Sequence, residues 1–242
     1  MAGGFHFSGA KRAAREVGAG AGGVVETAFR GPVAQWSLQR DQVGGVLTDR
    51  SGNNNHLSSI TWLSGEVWFP DMQPGQVLPW RSYQSRGPTF ANLTRAMTVV
   101  FRNFLYSLAP ATPEGRVLVN FGPNNSLYHT PAQLSYLSRE IFSYNEGGAA
   151  AGPTGLLLPY NRWCFVAVRR RADGRMVHQI DDAVWLSPGV CQPSSSGQNN
   201  ASLNRNGYGN AQNDGIIGDV NVWDYDIGES YLADARKQTM GL

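Results

Sequence analysis

Charge is scarce in this chain. Charged residues occupy 16% of its 242 positions, against roughly 25% in ordinary soluble domains. Cysteine is scarcer, with only Cys164 and Cys191, so no dense disulfide framework can staple the fold. Cys164 lies inside the apolar run RWCFVAV and reads as a buried free thiol, a bridge to Cys191 being the alternative. Four histidines, at 6, 56, 129 and 178, stand isolated in sequence, which gives no metal or triad pattern. No apolar run reaches the roughly 18 residues of a membrane-spanning helix. The opening MAGGFHFSGAKRAAREVGAG lacks the apolar stretch of about 7–15 residues that marks a secretory signal, so synthesis and assembly in a cytoplasm are expected. Gly-x-Ser-x-Gly, His-Glu-x-x-His and Cys-x-x-Cys are all missing, and with them the usual carriers of serine-hydrolase, zinc-protease and dithiol chemistry. No cofactor or metal is called for.

What remains is 41% hydrophobic, with seven Trp, enough for a sizeable core. Polarity comes from Asn, of which there are 17, rather than from Glu and Lys. That mix suits turns and strands better than long helices.

The net charge of +2 belongs entirely to residues 1–30, where Lys11, Arg12, Arg15 and Arg30 face Glu16 and Glu26. The same segment holds seven Gly and seven Ala, with Phe5, Phe7 and Phe29 as its large apolar groups. It cannot offset its own ordering entropy as a free tail. Residues 1–30 therefore read as an extended assembly arm held by a neighbouring subunit, and 31–242 as the domain. A covering segment on its own domain is the alternative. Gly18, Gly20 and Gly23 match G-x-G-x-x-G, but no strand precedes them and no βαβ unit follows.

From residue 33 onward, short β segments alternate with turns. Strands are expected at Val33–Leu38, Leu57–Leu63, Met97–Phe104, Arg116–Phe121, Ile141–Tyr144, Arg162–Arg169, Arg175–Ile180, Val184–Leu186 and Asp219–Tyr225. Asp173-Gly174 marks a tight hairpin whose turn matches the strand twist. One helix is expected at Glu229–Gln238, with Asp226 as N-cap, Glu229 returning to it, and Lys237 near the C-terminal dipole. Trp163, Trp185 and Trp223 fall in strands and read as core.

Three segments carry a family resemblance. They are AQWSLQRDQVGGVLTDRSGNNNHLSSITW, then NRWCFVAVRRRADGRMVHQIDDAVWL, and last NDGIIGDVNVWDYDIGESYLADARK with its Gly-Ile-x-Gly-Asp-Val-x-Val-Trp strand. Their order resembles a laminin-G-like or pentraxin-like domain of the concanavalin A-like lectin/glucanase superfamily. The likeness spans about residues 33–237, with 70–155 matching only in style. It implies an all-β, antiparallel jelly-roll sandwich of two curved sheets, a fold used for glycan binding or protein contact and also by hydrolases.

Glucanases of that superfamily carry Glu-x-Asp-x-x-Glu on a strand, where alternation aligns the carboxylates. Here Asp224-Tyr225-Asp226-Ile227-Gly228-Glu229 comes near it, but the helix-cap reading already employs Asp226 and Glu229. No residue is therefore assigned to catalysis. The loop Asp49–His56 offers either an Asx-type turn or oxygen ligands for calcium, and the turn is preferred. Trp80, Arg81 and Tyr83 sit in the loop-like PGQVLPWRSYQSRGP, and Tyr208 in the polar loop SSSGQNNASLNRNGYGNAQND. These four are the candidate glycan contacts.

The expectation is a non-enzymatic bacteriophage virion protein, a capsid decoration or a tail or fibre component. Its partners would be other copies of itself and neighbouring virion proteins, with host-surface glycan as a further ligand. A free-standing lectin and a glycoside hydrolase are the rival readings.

Overall fold

The computed structural model describes residues 29–38, 42–43, 46–67, 78–86, 96–105, 116–123, 133–137, 139–142, 154–190, 199–203 and 215–242. The chain divides into Met1–Arg30 and Gly31–Leu242. Phe29 is exposed, while Phe5, Phe7, Lys11, Arg12 and Arg15 lie outside the described residues.

The strands begin with β1 (Ala34–Ser37), β2 (Gln42–Val43), β3 (Val46–Leu47), β4 (Leu57–Val67) and β5 (Leu78–Arg86). Next come β6 (Met97–Leu105), β7 (Arg116–Pro123), β8 (Gln133–Leu137) and β9 (Glu140–Phe142). The hairpin strands β10 (Trp163–Arg170), β11 (Met176–Ile180) and β12 (Ala183–Leu186) follow. Last are β13 (Asn199–Leu203), β14 (Gly215–Trp223) and the helix α1 (Gly228–Met240).

The chain passes back and forth between two antiparallel sheets. One is six-stranded, in the order β1-β14-β6-β10-β11-β12, and the other eight-stranded, in the order β2-β3-β4-β5-β13-β7-β8-β9. Their facing sides share one core. Trp36, Val99, Phe101, Val166 and Val222 come from the first sheet, and Leu47, Leu57, Leu118, Ile141 and Leu203 from the second. The fold is the expected antiparallel β-sandwich.

A second apolar layer explains why β6 and β10 read as almost unbroken apolar runs rather than alternating ones. α1 lies over the outer face of the six-stranded sheet, packing Leu232 and Ala235 on Val100, Phe165, Ala167 and Trp223. Strands covered on both faces have no solvent side to mark with polar residues. The buried positions Leu232, Ala235 and Thr239 recur at helical spacing.

Local chemistry departs from expectation in three places. The β10–β11 connection carries Arg171 N on Arg175 O and Gly174 N on Arg171 O, both at 2.9 Å. Gly174 alone is left-handed, at φ +81°. This is the three-residue loop closed by a left-handed glycine, not a two-residue turn with Asp173 left-handed as well. PGQVLPWRSYQSRGP is not a loop, since β5 occupies Leu78–Arg86 and pairs with β4 and β13. Part of SSSGQNNASLNRNGYGNAQND is likewise strand, because β13 is inserted between β5 and β7. In both stretches, pairing on two sides satisfies the backbone and overrides a polar or proline-marked composition.

Candidate functional site

Two of the three carboxylates of the hydrolase-like motif are committed elsewhere. β14 ends at Trp223, so Asp224, Asp226 and Glu229 do not share one strand, and strand alternation does not align them. Arg169, on the helix-covered face of β10 with its side chain 3% exposed, binds two of them. Its Nε donates to Asp226 Oδ1 at 2.8 Å and its Nη1 to Glu229 Oε1 at 2.5 Å. Burial by itself would lower the guanidinium, but the hydrogen bonds to Asp226 and Glu229 outweigh it and raise its pKa above the usual value.

The helix start is accordingly not as expected. Ile227 is the N-cap and makes no side-chain cap bond, while Asp226 Oδ1 also accepts from Gly228 N at 3.1 Å. An arginine in an apolar layer must be paired, and that demand takes Asp226 and Glu229 away from the capping box.

The Asp49–His56 loop is a turn built on one carboxylate. Asp49 Oδ1 accepts from Gln35 N and Ser51 N, and Oδ2 from Ser51 Oγ and Asn55 N, all within 2.8–2.9 Å. His56 Nδ1 accepts from Asp49 N, and Asn54 is left-handed at φ +59°. Trp36 Nε1 donates to Asn55 O at 2.8 Å, tying the turn to the core. Four N–H and O–H donors thus fill the carboxylate that a cation would have needed. Among the described residues, no group of three or more His, Cys, Asp or Glu could hold a metal ion.

Cys164 is a free, buried thiol whose pKa burial pushes up to about 12. His178 is fully buried and stacks on Trp185 at 5.2 Å, and desolvation depresses its pKa to about 3.

Of the candidate glycan contacts, Trp80, Arg81 and Tyr83 lie in β5, near the middle of the eight-stranded sheet. Ile60↔Ser82 and Gly65↔Trp80 are successive pairs across a register shift, so extra residues of β4 stand opposite Arg81. Tyr208 lies outside the described residues.

A different aromatic position emerges on the outer face of the six-stranded sheet. Trp223 is buried and Trp185 packs against the core, but Trp163 is only partly buried, contrary to its expected core role. Arg102 lies 4.6 Å above its ring, and Phe104 meets it edge-on at 5.6 Å. Arg102 also bridges Asp219 at 3.1 Å, and Arg162 bridges Asp181 at 2.9 Å. The signals that could have found this group are a lone Arg within MTVVFRNFL and the Gly-Asp step of the closing strand.

No protein-family model matches the chain, and no curated protein matches it. Solved structures do. Trypanosoma rangeli sialidase in complex with sialic acid aligns with TM-score 0.59 at 16% identity, over 96% of this chain and 36% of the sialidase. The likeness is one of fold. The receptor binding domain of botulinum neurotoxin C/D mosaic serotype aligns with TM-score 0.57 at 12% identity, over 87% of this chain and 52% of that one. Domain 4 of an extracellular GH43 arabinanase from Geobacillus stearothermophilus, in complex with arabinotriose, gives 0.52 at 11%, over 84% and 97%. The chain thus spans about a third of the sialidase and about half of the toxin fragment.

Proposed function

We propose that this chain is a non-enzymatic, glycan-binding sandwich of the concanavalin A-like superfamily, built into a virion through residues 1–30. The observation that carries the binding reading is the Arg169 clasp. It employs Asp226 and Glu229 in holding α1 to the sheet, where a hydrolase would present them to substrate. Likeness of fold to a domain solved with arabinotriose, and to about a third of a sialidase solved with sialic acid, favours glycan as the ligand class. The Gly/Ala-rich, basic composition of residues 1–30 supports the assembly role, with other copies and neighbouring virion proteins as partners and the host cytoplasm as the place of assembly.

Sedimentation of the full chain and of Gly31–Leu242 tests the arm. The full chain is expected to associate and the shortened one to remain monomeric. A full chain that stays monomeric at high concentration, or equal association of both, would count against the arm and favour a free-standing lectin. Release of reducing sugar from a polysaccharide panel, lost in Asp224→Asn, would establish the hydrolase instead.

A further inference from the structure

β14 carries one residue too many opposite Arg102. Ile217 pairs with Asn103 and Val220 with Phe101, so Gly218 and Asp219 together face a single residue of β6. A bulge of this kind bends the strand and re-aims a side chain. Here it turns Asp219 onto Arg102. Gly218 makes the arrangement feasible, because a Cβ there would lie 2.5 Å from Arg102 Cγ and 2.9 Å from its Cδ.

Arg102 and Trp163 are diagonal neighbours across β6 and β10, where Phe165 pairs with Arg102 and Trp163 with Phe104. Asp181, left-handed at φ +51°, accepts from Phe165 N and binds Arg162 from the end of β11. Asp219, Arg102 and Trp163 therefore form a row on the outer face of the sheet beside α1, extended at the end of β10 by the Arg162–Asp181 pair. Its charges remain partly solvated: the Arg162 side chain is 58% exposed, Asp219 27% and Asp181 21%.

We propose that this row is a binding site for a neutral glycan, with Trp163 as its apolar platform. The inference rests on the glycan reading above and moves the site from β5 and Tyr208 to the outer face of the six-stranded sheet. Sugar rings present a C–H face and a rim of hydroxyls that both donate and accept. The row matches that duality, pairing an aromatic ring with guanidinium donors and carboxylate acceptors. Each cation already has its anion within 3.1 Å, so an anionic sugar would have to displace Asp219 or Asp181. A neutral one need only bridge the pairs.

Calorimetric titration of the full chain with lactose, maltotriose, arabinotriose, chitotriose and 3′-sialyllactose tests this. At least one neutral oligosaccharide should bind, more tightly than the sialylated one. Arg162→Ala and Asp219→Asn should each weaken it fivefold or more without changing near-UV circular dichroism, and Trp163→Phe tenfold without changing far-UV circular dichroism. Arg162→Ala keeps the test decisive should the others unfold, because that side chain is exposed. Binding unchanged in Arg162→Ala, or lost in Trp80→Phe or Tyr208→Ala instead, would overturn the site while sparing the glycan reading. Preference for 3′-sialyllactose would overturn the neutral class. Failure of every sugar to bind the wild type would overturn the site and the glycan reading together.

Discussion

Arg169 shows how a single buried cation reorganises its surroundings. Its two carboxylates differ in exposure, 18% for the Asp226 side chain and 71% for Glu229, so their loss should be felt unequally. Asp226→Ala leaves a guanidinium buried without its inner partner and should cost about 3 kcal/mol. Glu229→Gln, at a solvated pair, should cost under about 1 kcal/mol. Urea unfolding of both variants measures the difference, and equal costs would refute this ranking. His178 supplies a second prediction at the same scale. Its folded pKa of about 3 lies below the ordinary 6.5, so the unfolded chain binds a proton that the folded one refuses. Stability from this residue is therefore complete above pH 6.5 and is lost as pH falls toward 3, by on the order of 1 kcal/mol per unit. His178→Phe should flatten the melting temperature against pH across that window, relative to wild type. None of this was legible from isolated histidines or from Asp226 and Glu229 beside a helix start, because burial and partner are properties of position in space.

Among the elements, α1 was placed correctly to within a few residues, while its anchoring was not. The helix was expected from its end signals, whereas the spacing of Leu232, Ala235 and Thr239 says which side packs, with Leu232 at 4% exposure. Leu232→Ala should cost about 2–4 kcal/mol in chemical unfolding, whereas Lys237→Ala, at an exposed position, should stay within about 0.5 kcal/mol. Comparable losses would mean that the helix contributes little packing. Strands rich in Val, Ile and Phe, such as β6, β10 and β14, could be read directly. β5 and β13 could not, since LPWRSYQSR and NNASL are strands by virtue of their neighbours. The hairpin was located correctly from Asp173-Gly174, but its type depended on hydrogen bonds reaching Arg171 and Arg175.

For the molecule as a whole, the decisive fact is that one core joins both sheets. Leu47, Leu118 and Leu203 pack into the same cluster as Trp36, Phe101 and Val222, so neither sheet keeps its apolar face covered without the other. Unfolding followed by tryptophan fluorescence and by far-UV circular dichroism should therefore trace coincident curves. Two separated transitions would show that the sheets unfold independently. The same layering leaves room for function. α1 covers one part of the outer face of the six-stranded sheet, and the row of Asp219, Arg102 and Trp163 occupies another.

The sequence by itself determined the β-rich class, the late helix, the placement of most long apolar strands and the neutrality of residues 31–242. These follow from local preferences and periodicity, which act over a few neighbours. Tertiary structure alone decided that Arg169 takes Asp226 and Glu229, that Asp49 also accepts from Gln35 N of β1, and that Trp163 lies under Arg102 instead of in the core. Such outcomes depend on which distant strands meet, because desolvation and charge pairing are set by neighbours in space and not by neighbours in the chain.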